Sequence, residues 1–352
     1  MTKIKEKSLY EKITEAATTG NLEQLVVLIN QSENSTDYSE ALHIASKNGH
    51  TECVELLIPV SDPKSNDSNA LRLASENGHT ECVKILTPLS DPKVAQSEAL
   101  QLAAQNGHTE CVKILISVSE TNDRDAGNAL QIASKNGHAE CVRLLIPVSD
   151  PKSNDSYALR LSSRNGHTEC VRPLIPVSDP KNSKSCSLRL ASYSGYTECV
   201  KLLIPVSDPK ANDSEALRLS SKNGHTECVK LLIPVSDPKV NECYPLRWAS
   251  GNGHTECVEL LIPVSDPKAN DSEALRWASM FGHTECVKLL IPVSVPRSND
   301  SEALRSASRK VYVECVKLLL PHSDISKWSG EDWEILIPTC NTLSNRIFLK
   351  NL

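Results

Sequence analysis

The sequence predicts an all-α protein made of one short helical unit that is stacked many times. Two observations indicate this: one phrase recurs through nearly the whole chain, and the step between its copies is almost fixed. The cysteine of each copy marks the step, which is 29 residues except for one of 30, at Cys53, Cys82, Cys111, Cys141, Cys170, Cys199, Cys228, Cys257, Cys286 and Cys315. Such a period is typical of repeat architectures, in which each unit contacts only its neighbours.

The first part of each copy predicts a helix. It runs from about Glu40 to Lys47, or from Glu215 to Lys222 in a later copy. Ser39 and Ser214 precede these stretches, and serine is a favoured N-cap residue. Asn48-Gly49 ends the helix, because glycine readily adopts the positive φ of a helix C-cap.

The second part predicts another helix, beginning near His50. Its apolar stripe is Cys53, Val54, Leu56, Leu57 and Ile58. Pro59 is predicted to stop this helix, and Ser61 to Lys64 predict a turn. Aromatic residues make up only 4% of the chain, so we expect a core of Leu, Ile, Val, Ala and Cys. Helices this short cannot bury their apolar faces alone and need neighbouring copies.

These residues resemble a known family. Asn48 to Ile58 resemble the second helix of an ankyrin repeat, and Ala41 to Ser46 are similar to the Pro-Leu-His-Leu-Ala-Ala of the first helix. The resemblance covers residues 8–321, as ten copies and a weaker eleventh from Tyr10 to Asn30. It implies an ankyrin-type helical repeat solenoid. The family repeat has about 33 residues, so the β-hairpin finger is expected to shrink to a tight turn that contains proline.

The ends of the repeat pattern predict the domain organisation. We expect an N-terminal capping repeat at 1–38, ten ankyrin-like repeats at 39–321, and a C-terminal cap or tail at 322–352. Terminal copies of a repeat array usually present a polar outer face. The last segment carries Trp328, Trp333 and Phe348, and about 30 residues are too few for a separate core.

No pattern of chemical groups predicts catalysis, a metal or a cofactor. The ten register cysteines are interpreted as buried apolar residues, while Cys186, Cys243 and Cys340 follow no pattern. His50 and Cys53 stand one helical turn apart, but zinc needs four ligands and the unit offers no second pair. The sequence therefore predicts a protein that is not an enzyme.

Charge and hydropathy constrain the partner and the compartment. The net charge of −6 argues against nucleic acid. No apolar run is long enough for a transmembrane helix, and the N-terminal residues lack the apolar core of a signal peptide. We expect a monomer that does not bind membranes, located in the cytoplasm or delivered into a host cell; the sequence leaves both locations open.

One position of the first helix carries a row of arginines. These are Arg72, Arg160, Arg189, Arg218, Arg247, Arg276 and Arg305. The favoured interpretation is pairing with local acids, including the i,i+3 pairs Glu215–Arg218, Glu273–Arg276 and Glu302–Arg305. The alternative is an arginine row that binds an acidic protein or phosphates.

One group of large apolar residues departs from the repeat. Trp248 and Trp277 replace the Ile or Leu of the first helix, and Met280 and Phe281 fill a turn that reads Lys-Asn in several other copies. Tyr244 lies beside them in the sequence. Exposed aromatic patches often anchor a partner, whereas a bulkier local core is the alternative for the two tryptophans.

The resemblance implies a non-catalytic scaffold that binds another protein along the repeat surface. Two alternatives stay open: a structural spacer without a specific ligand, and an anion binder that uses the arginine row.

Overall fold

The computed structural model describes residues 8–31, 37–90, 95–118, 123–326 and 328–342. Side chains are described for the same residues except 95, 96, 118, 123 and 338–342. Parts of both predicted ends, with Phe348, lie outside the described residues, and so does the side chain of Cys340.

Every regular element in these ranges is helical, and they contain no strand, which confirms the all-α prediction. The helices form two compact units, here called the N-terminal unit (Met1–Asp179) and the C-terminal unit (Pro180–Leu352).

The helices alternate in length along both units. Those of the N-terminal unit are α1 (Leu9–Thr19), α2 (Leu22–Asn30), α3 (Ser39–Asn48), α4 (Thr51–Leu57), α5 (Ser65–Glu76), α6 (Thr80–Leu86), α7 (Ala95–Asn106), α8 (Thr109–Val118), α9 (Asp123–Asn136), α10 (Ala139–Leu145), α11 (Ser153–Arg164) and α12 (Thr168–Leu174). Those of the C-terminal unit are α13 (Asn182–Ser194), α14 (Thr197–Leu203), α15 (Ala211–Lys222), α16 (Thr226–Leu232), α17 (Val240–Gly251), α18 (Thr255–Leu261), α19 (Ala269–Met280), α20 (Thr284–Leu290), α21 (Ser298–Arg309), α22 (Val313–Leu319) and α23 (Gly330–Thr342).

Within each unit, a helix packs on the corresponding helix of the neighbouring repeat. First helices pack on first helices, as α17 packs on α19, and second helices pack on second helices, as α18 packs on α20. The core repeats with the sequence: Leu42, Cys53, Val54 and Leu57 are at most 1% exposed. The position of Ile44, where Trp248 and Trp277 stand in later copies, is half-buried throughout.

The turn between repeats is tight, as expected. The second helix ends at Leu57 and a single 3-10 turn (Ile58–Val60) follows, so that Pro59 lies within that turn and does not itself end the helix. Three consecutive left-handed residues then lead into the next first helix, at Asn66–Ser68, Asn154–Ser156, Ser183–Ser185, Asn212–Ser214, Asn241–Cys243, Asn270–Ser272 and Asn299–Ser301. Asn and Asp tolerate this conformation better than most residues do.

The expected serine N-caps do not form, because neither Ser39 nor Ser214 caps its helix through its side chain. Ser214 is the last of three left-handed residues before the regular turns of α15, with φ 51°, and its Oγ accepts a hydrogen bond from the Asp237 N–H at 2.9 Å. The serine therefore ties its own turn to the next one. Cys243 occupies the same position and accepts from the Asp266 N–H at 3.1 Å. This cysteine does follow the repeat pattern, contrary to the expectation from the sequence.

The last helix packs on the end of the C-terminal unit. Helix α23 contacts α21 and α22. Trp328 precedes α23, is 8% exposed and donates through Nε1 to the Asp300 carbonyl at 3.3 Å. These contacts suit a cap, while the predicted domain limits stay a prediction.

Candidate functional site

A Gly-His turn, preceded by Asn in most copies, fastens a repeat to the one before it wherever the histidine is present. Asn223 Nδ2 and His225 Nε2 both donate to the Tyr193 carbonyl, at 2.8 and 2.9 Å. A carbonyl oxygen only accepts, so the imidazole must carry its proton on Nε2. A Cβ on Gly195 would lie 2.5 Å from His225 Nδ1, and Gly195 has φ 79°. Equivalent histidine bonds occur at His50, His79, His108, His138, His167, His254 and His283.

The register cysteines form a second line of contacts between repeats. Cys82 Sγ lies 3.6 Å from Thr51 Oγ1, and Cys257 Sγ lies 3.7 Å from Thr226 Oγ1. Burial raises the pKa of both thiols above its ordinary value, and the threonine hydrogen bonds only partly offset this rise. These thiols are therefore poor nucleophiles, consistent with the structural role that was expected of them.

The arginine row bridges successive first helices. In the C-terminal unit, Arg189 pairs with Glu215, and Arg247 Nη2 lies 2.5 Å from Glu273 Oε2. Both carboxylates belong to the following repeat, so the expected pairs Glu215–Arg218 and Glu273–Arg276 are wrong. Arg189 and Arg247 therefore link consecutive first helices instead of pairing within their own helix.

Arg305, the last arginine of the row, pairs both with an acid on its own helix and with an acid on a following helix. Arg305 Nη1 lies 3.2 Å from Glu302 Oε2, as expected, and Arg305 Nε lies 2.8 Å from Asp332 Oδ1 on α23. In the N-terminal unit, Arg72 Nη2 lies 2.9 Å from Glu98 Oε1, and Arg160 Nη1 lies 4.0 Å from Asp155 Oδ2.

Two arginines of the row have no such partner. Arg218 and Arg276 donate through Nη2 to the carbonyls of Asn212 and Asn270, at 3.1 and 3.0 Å. Among the residues that the structure describes, neither has a carboxylate oxygen within 4 Å. The row therefore alternates along the C-terminal unit between arginines that are paired with acids and arginines that are not.

The aromatic residues singled out in the sequence come together. The Tyr244 and Trp248 ring centroids are 5.8 Å apart, and those of Trp248 and Trp277 are 5.4 Å apart with nearly perpendicular planes. All three side chains are half-buried. The edge-to-face geometry is favourable beyond the apolar area that it buries.

Met280 and Phe281 extend this group to the surface. Met280 ends α19 and is 45% exposed, while Phe281 caps the helix and is 49% exposed. Phe281 follows Trp277 by four residues and so stands one helical turn along the same face. The five residues Tyr244, Trp248, Trp277, Met280 and Phe281 are called the aromatic cluster below.

Cations lie over the rings of the cluster. Tyr244 is flanked by the guanidinium carbons of Arg218 and Arg247, at 5.6 and 4.9 Å from its centroid. Arg247 also lies 5.5 Å from the Trp277 centroid. Lys222 Nζ lies 4.4 Å from the centroid of Trp248. Such contacts are attractive and hold the ring faces against the arginine row.

Gly251 belongs to this site, although it was not among the residues predicted from the sequence. A Cβ at this position would lie 2.8 Å from Trp277 Cε3. Other copies have Lys, Glu, Gln, Arg, Tyr or Met here. The signal was available in the sequence, because a glycine replaces a longer side chain one repeat before the second tryptophan.

The residues that the structure describes offer neither a membrane-spanning helix nor a cluster of metal ligands. None of their helices is long and apolar enough to span a bilayer. Nowhere in the described ranges do three His, Cys, Asp or Glu side chains gather as a metal site would require.

The repeat geometry agrees with comparison to known proteins. The family model described as ankyrin repeats (3 copies) matches residues 13–96, 87–155, 188–271 and 246–329. No curated protein matches the chain. The matched residues make up most of the sequence, and proteins of this family are generally protein-interaction modules and typically non-catalytic. The chain therefore belongs to the ankyrin-repeat family.

Proposed function

We propose that this protein is a non-catalytic scaffold that binds a partner protein through the aromatic cluster. The observation that carries the proposal is the exposure of Met280 and Phe281 in a turn that is polar in most other copies. Leaving two large apolar side chains in water brings no gain in folding, so a role in binding accounts for them.

The surroundings of the two residues support an anchor. Trp248 and Trp277 form a half-buried pair, with Trp277 on the helix that Met280 ends, and a cation lies over each of the two rings. Rigid aromatic side chains at the centre of an interface carry much of the binding free energy. Fixed repeats also limit the ordering cost of association.

The test is to restore the ordinary turn. In Met280→Lys/Phe281→Asn the turn reads as Lys222-Asn223 does in an earlier copy. We expect affinity capture with quantitative mass spectrometry to lose the specific partners of the wild-type protein, with helical circular dichroism unchanged. The matched control is Tyr157→Ala, which removes an aromatic residue that is 37% exposed in the N-terminal unit. Capture of the same partners by the double variant would overturn the proposal.

A structural spacer is the second candidate, because the histidine and serine ties recur almost unchanged from copy to copy. Repeated capture that returns no specific partner for the wild-type protein would favour it. The arginine row as a whole is less suited to bind anions, since Arg189, Arg247 and Arg305 already have carboxylate partners.

A further inference from the structure

Three cations beside the aromatic cluster have no acidic partner. Arg218 and Lys222 lie on α15, and Arg276 lies on α19. None of them has a carboxylate oxygen within 4 Å among the described residues. By contrast, the second helices carry matched pairs such as Glu227 with Lys230, whose Oε1 and Nζ are 2.6 Å apart. The missing acids are therefore a local feature of the first helices.

The absence of an acid has a visible cause at each of the two arginines. The acid that pairs with Arg189 is Glu215, and the residue at the same place one repeat later is Tyr244. Arg218 consequently stacks on the Tyr244 ring. For Arg276 the corresponding acid is Glu302, which instead contacts Arg305 and Arg309, both at 3.2 Å.

The exposed side chains of the three first helices change from basic to apolar from α15 through α17 to α19. On α15, Arg218 and Lys222 are four residues apart and share one face, which makes this end basic. On α17, Gly251 contributes no side chain, and the rings of Trp248 and Trp277 lie beside it. On α19 the same face ends in Met280 and Phe281, which makes that end apolar.

The acids on α15, α17 and α19 fall into two groups. Glu215 and Glu273 are neutralised, because they pair with arginines of the preceding repeats. Three exposed acids stand at equivalent places near the N-terminal ends of the helices, and only the second lies within 4 Å of an arginine among the described residues: Asp213, Glu242 and Asp271. The C-terminal parts of the helices (216–222, 245–251 and 274–280) carry cations and no acid, so the surface that they form keeps positive charge beside an apolar floor.

We propose that this surface binds an acidic peptide segment of the partner, lying extended across α15, α17 and α19. Carboxylates of the segment contact Arg218 and Lys222, and a bulky apolar side chain contacts Met280 and Phe281. Complementary charge identifies the occupant: three cations that have no carboxylate within 4 Å among the described residues, beside exposed apolar side chains, suit a ligand that is both acidic and apolar. The inference rests on the proposed function, since it specifies the partner of the same cluster.

The helix spacing sets the length of the segment. Packed helices lie about 8–10 Å apart, so two steps from α15 to α19 span about 16–20 Å. An extended chain rises about 3.3 Å per residue. The acidic and apolar residues of the ligand are therefore about five or six positions apart. Guanidinium groups also suit carboxylates through paired N–H donors.

The test uses synthetic peptides as probes of the full-length protein. The first carries two glutamates followed, about six positions later, by leucine and phenylalanine. The second replaces both glutamates by lysine, and the third keeps the composition but places the acidic and apolar residues side by side. Fluorescence anisotropy measures the dissociation constant of each.

We expect the first peptide to bind at least about tenfold more tightly than either control, and more weakly as salt screens the charges. The variants Arg218→Gln and Lys222→Gln should each weaken it about three- to tenfold, and Glu242→Gln should strengthen it. Lys230→Gln is the matched control, because Lys230 is paired with Glu227 on α16, and it should leave the affinity unchanged.

The two proposals fail in different ways. If the three peptides bind alike, or if Arg218→Gln and Lys222→Gln change nothing, the acidic-segment inference is overturned. The scaffold proposal still stands in that case, provided that Met280→Lys/Phe281→Asn loses the captured partners. Retention of those partners by the double variant would instead remove the scaffold proposal itself.

Discussion

The two units share one framework and differ in their surfaces. Both use left-handed glycines, histidine ties and buried register cysteines. The N-terminal unit has 17 Lys and Arg against 24 Asp and Glu, a net charge of −7, whereas the C-terminal unit has 21 against 20, a net charge of +1. The aromatic cluster lies wholly in the C-terminal unit.

This difference separates positions that hold repeats together from positions that are free to vary. The histidines and register cysteines that contact the adjacent repeat recur in most copies, because each copy must fit the next. The positions of Tyr244, Trp248 and Gly251 on the first helix vary from copy to copy, as do the two residues before the glycine of the turn. We therefore place function in the departures from the repeat.

The largest expected effect tests the shared framework in both units. Gly78 and Gly224 have φ 78° and 75°, and a Cβ on either would lie 2.5 Å from a histidine ring. We expect Gly78→Ala and Gly224→Ala each to lower the free energy of unfolding by about 2–4 kcal/mol. Urea titration followed by circular dichroism measures the loss.

Gly127→Ala is the control, since Gly127 is helical and a methyl group added there would meet only Ser153 Oγ, at 4.0 Å. This change should be neutral or stabilise by up to about 1 kcal/mol. Clearly unequal losses at Gly78 and Gly224 would contradict the idea of a common framework.

The next largest effect concerns the tryptophan packing of the aromatic cluster, which lies in the C-terminal unit. Gly251→Ala places a methyl group 2.8 Å from Trp277 Cε3, so we expect a loss of about 1–3 kcal/mol. In the Trp277→Leu background the same change should become neutral or stabilising, because alanine favours a helix. A double-mutant cycle from urea titrations gives the coupling. Equal losses in both backgrounds would show that Gly251 does not serve the tryptophan.

The third prediction concerns the last copy of the turn, where a valine stands in place of the left-handed glycine. Val311 occupies that position with φ 59°. Tyr312 takes the place of the histidine, since a Cβ on Gly282 of the preceding repeat would lie 2.8 Å from its ring. Val311→Gly should therefore stabilise the protein by about 1 kcal/mol through relief of backbone strain. The shift of the thermal midpoint measures the gain, and a lower midpoint would contradict this reading of the turn.

The smallest effect compares equivalent ion pairs of the two units. Burial opposes ionisation of Glu215, but hydrogen bonds from Asn212 and Arg189 outweigh it and lower the pKa of the carboxyl. The ionised group therefore stabilises the fold above its unfolded pKa of about 4.3, and this contribution is lost as the pH falls through the lowered folded value.

Glu215→Gln should accordingly cost up to about 1 kcal/mol at neutral pH and progressively less in acid. Thermal midpoints from about pH 7 to about pH 3 measure the trend. Glu98→Gln is the counterpart, and its cost should be smaller because Glu98 is 47% exposed against 23% for Glu215. A larger penalty at Glu98 would contradict the comparison.

Much of the fold follows from local signals. The period locates the helices, the apolar stripe marks Cys53, Val54 and Leu57 for the core, and Asn48-Gly49 marks the end of a first helix. The members of the aromatic cluster also stand out in the sequence, since Met280 and Phe281 break a polar turn. Their role in binding stays a prediction.

Other features depended on which side chains meet across repeats. Arg189 takes its acid from the next repeat, Ser214 accepts from an amide 23 residues later, and Gly251 makes room for Trp277. The sequence by itself determined the repeat, its helices and its buried face, because these depend on residues close together in the chain. Only the tertiary structure decided the pairing of charges and the setting of the rings, because both depend on the rotation and spacing of one packed helix against another.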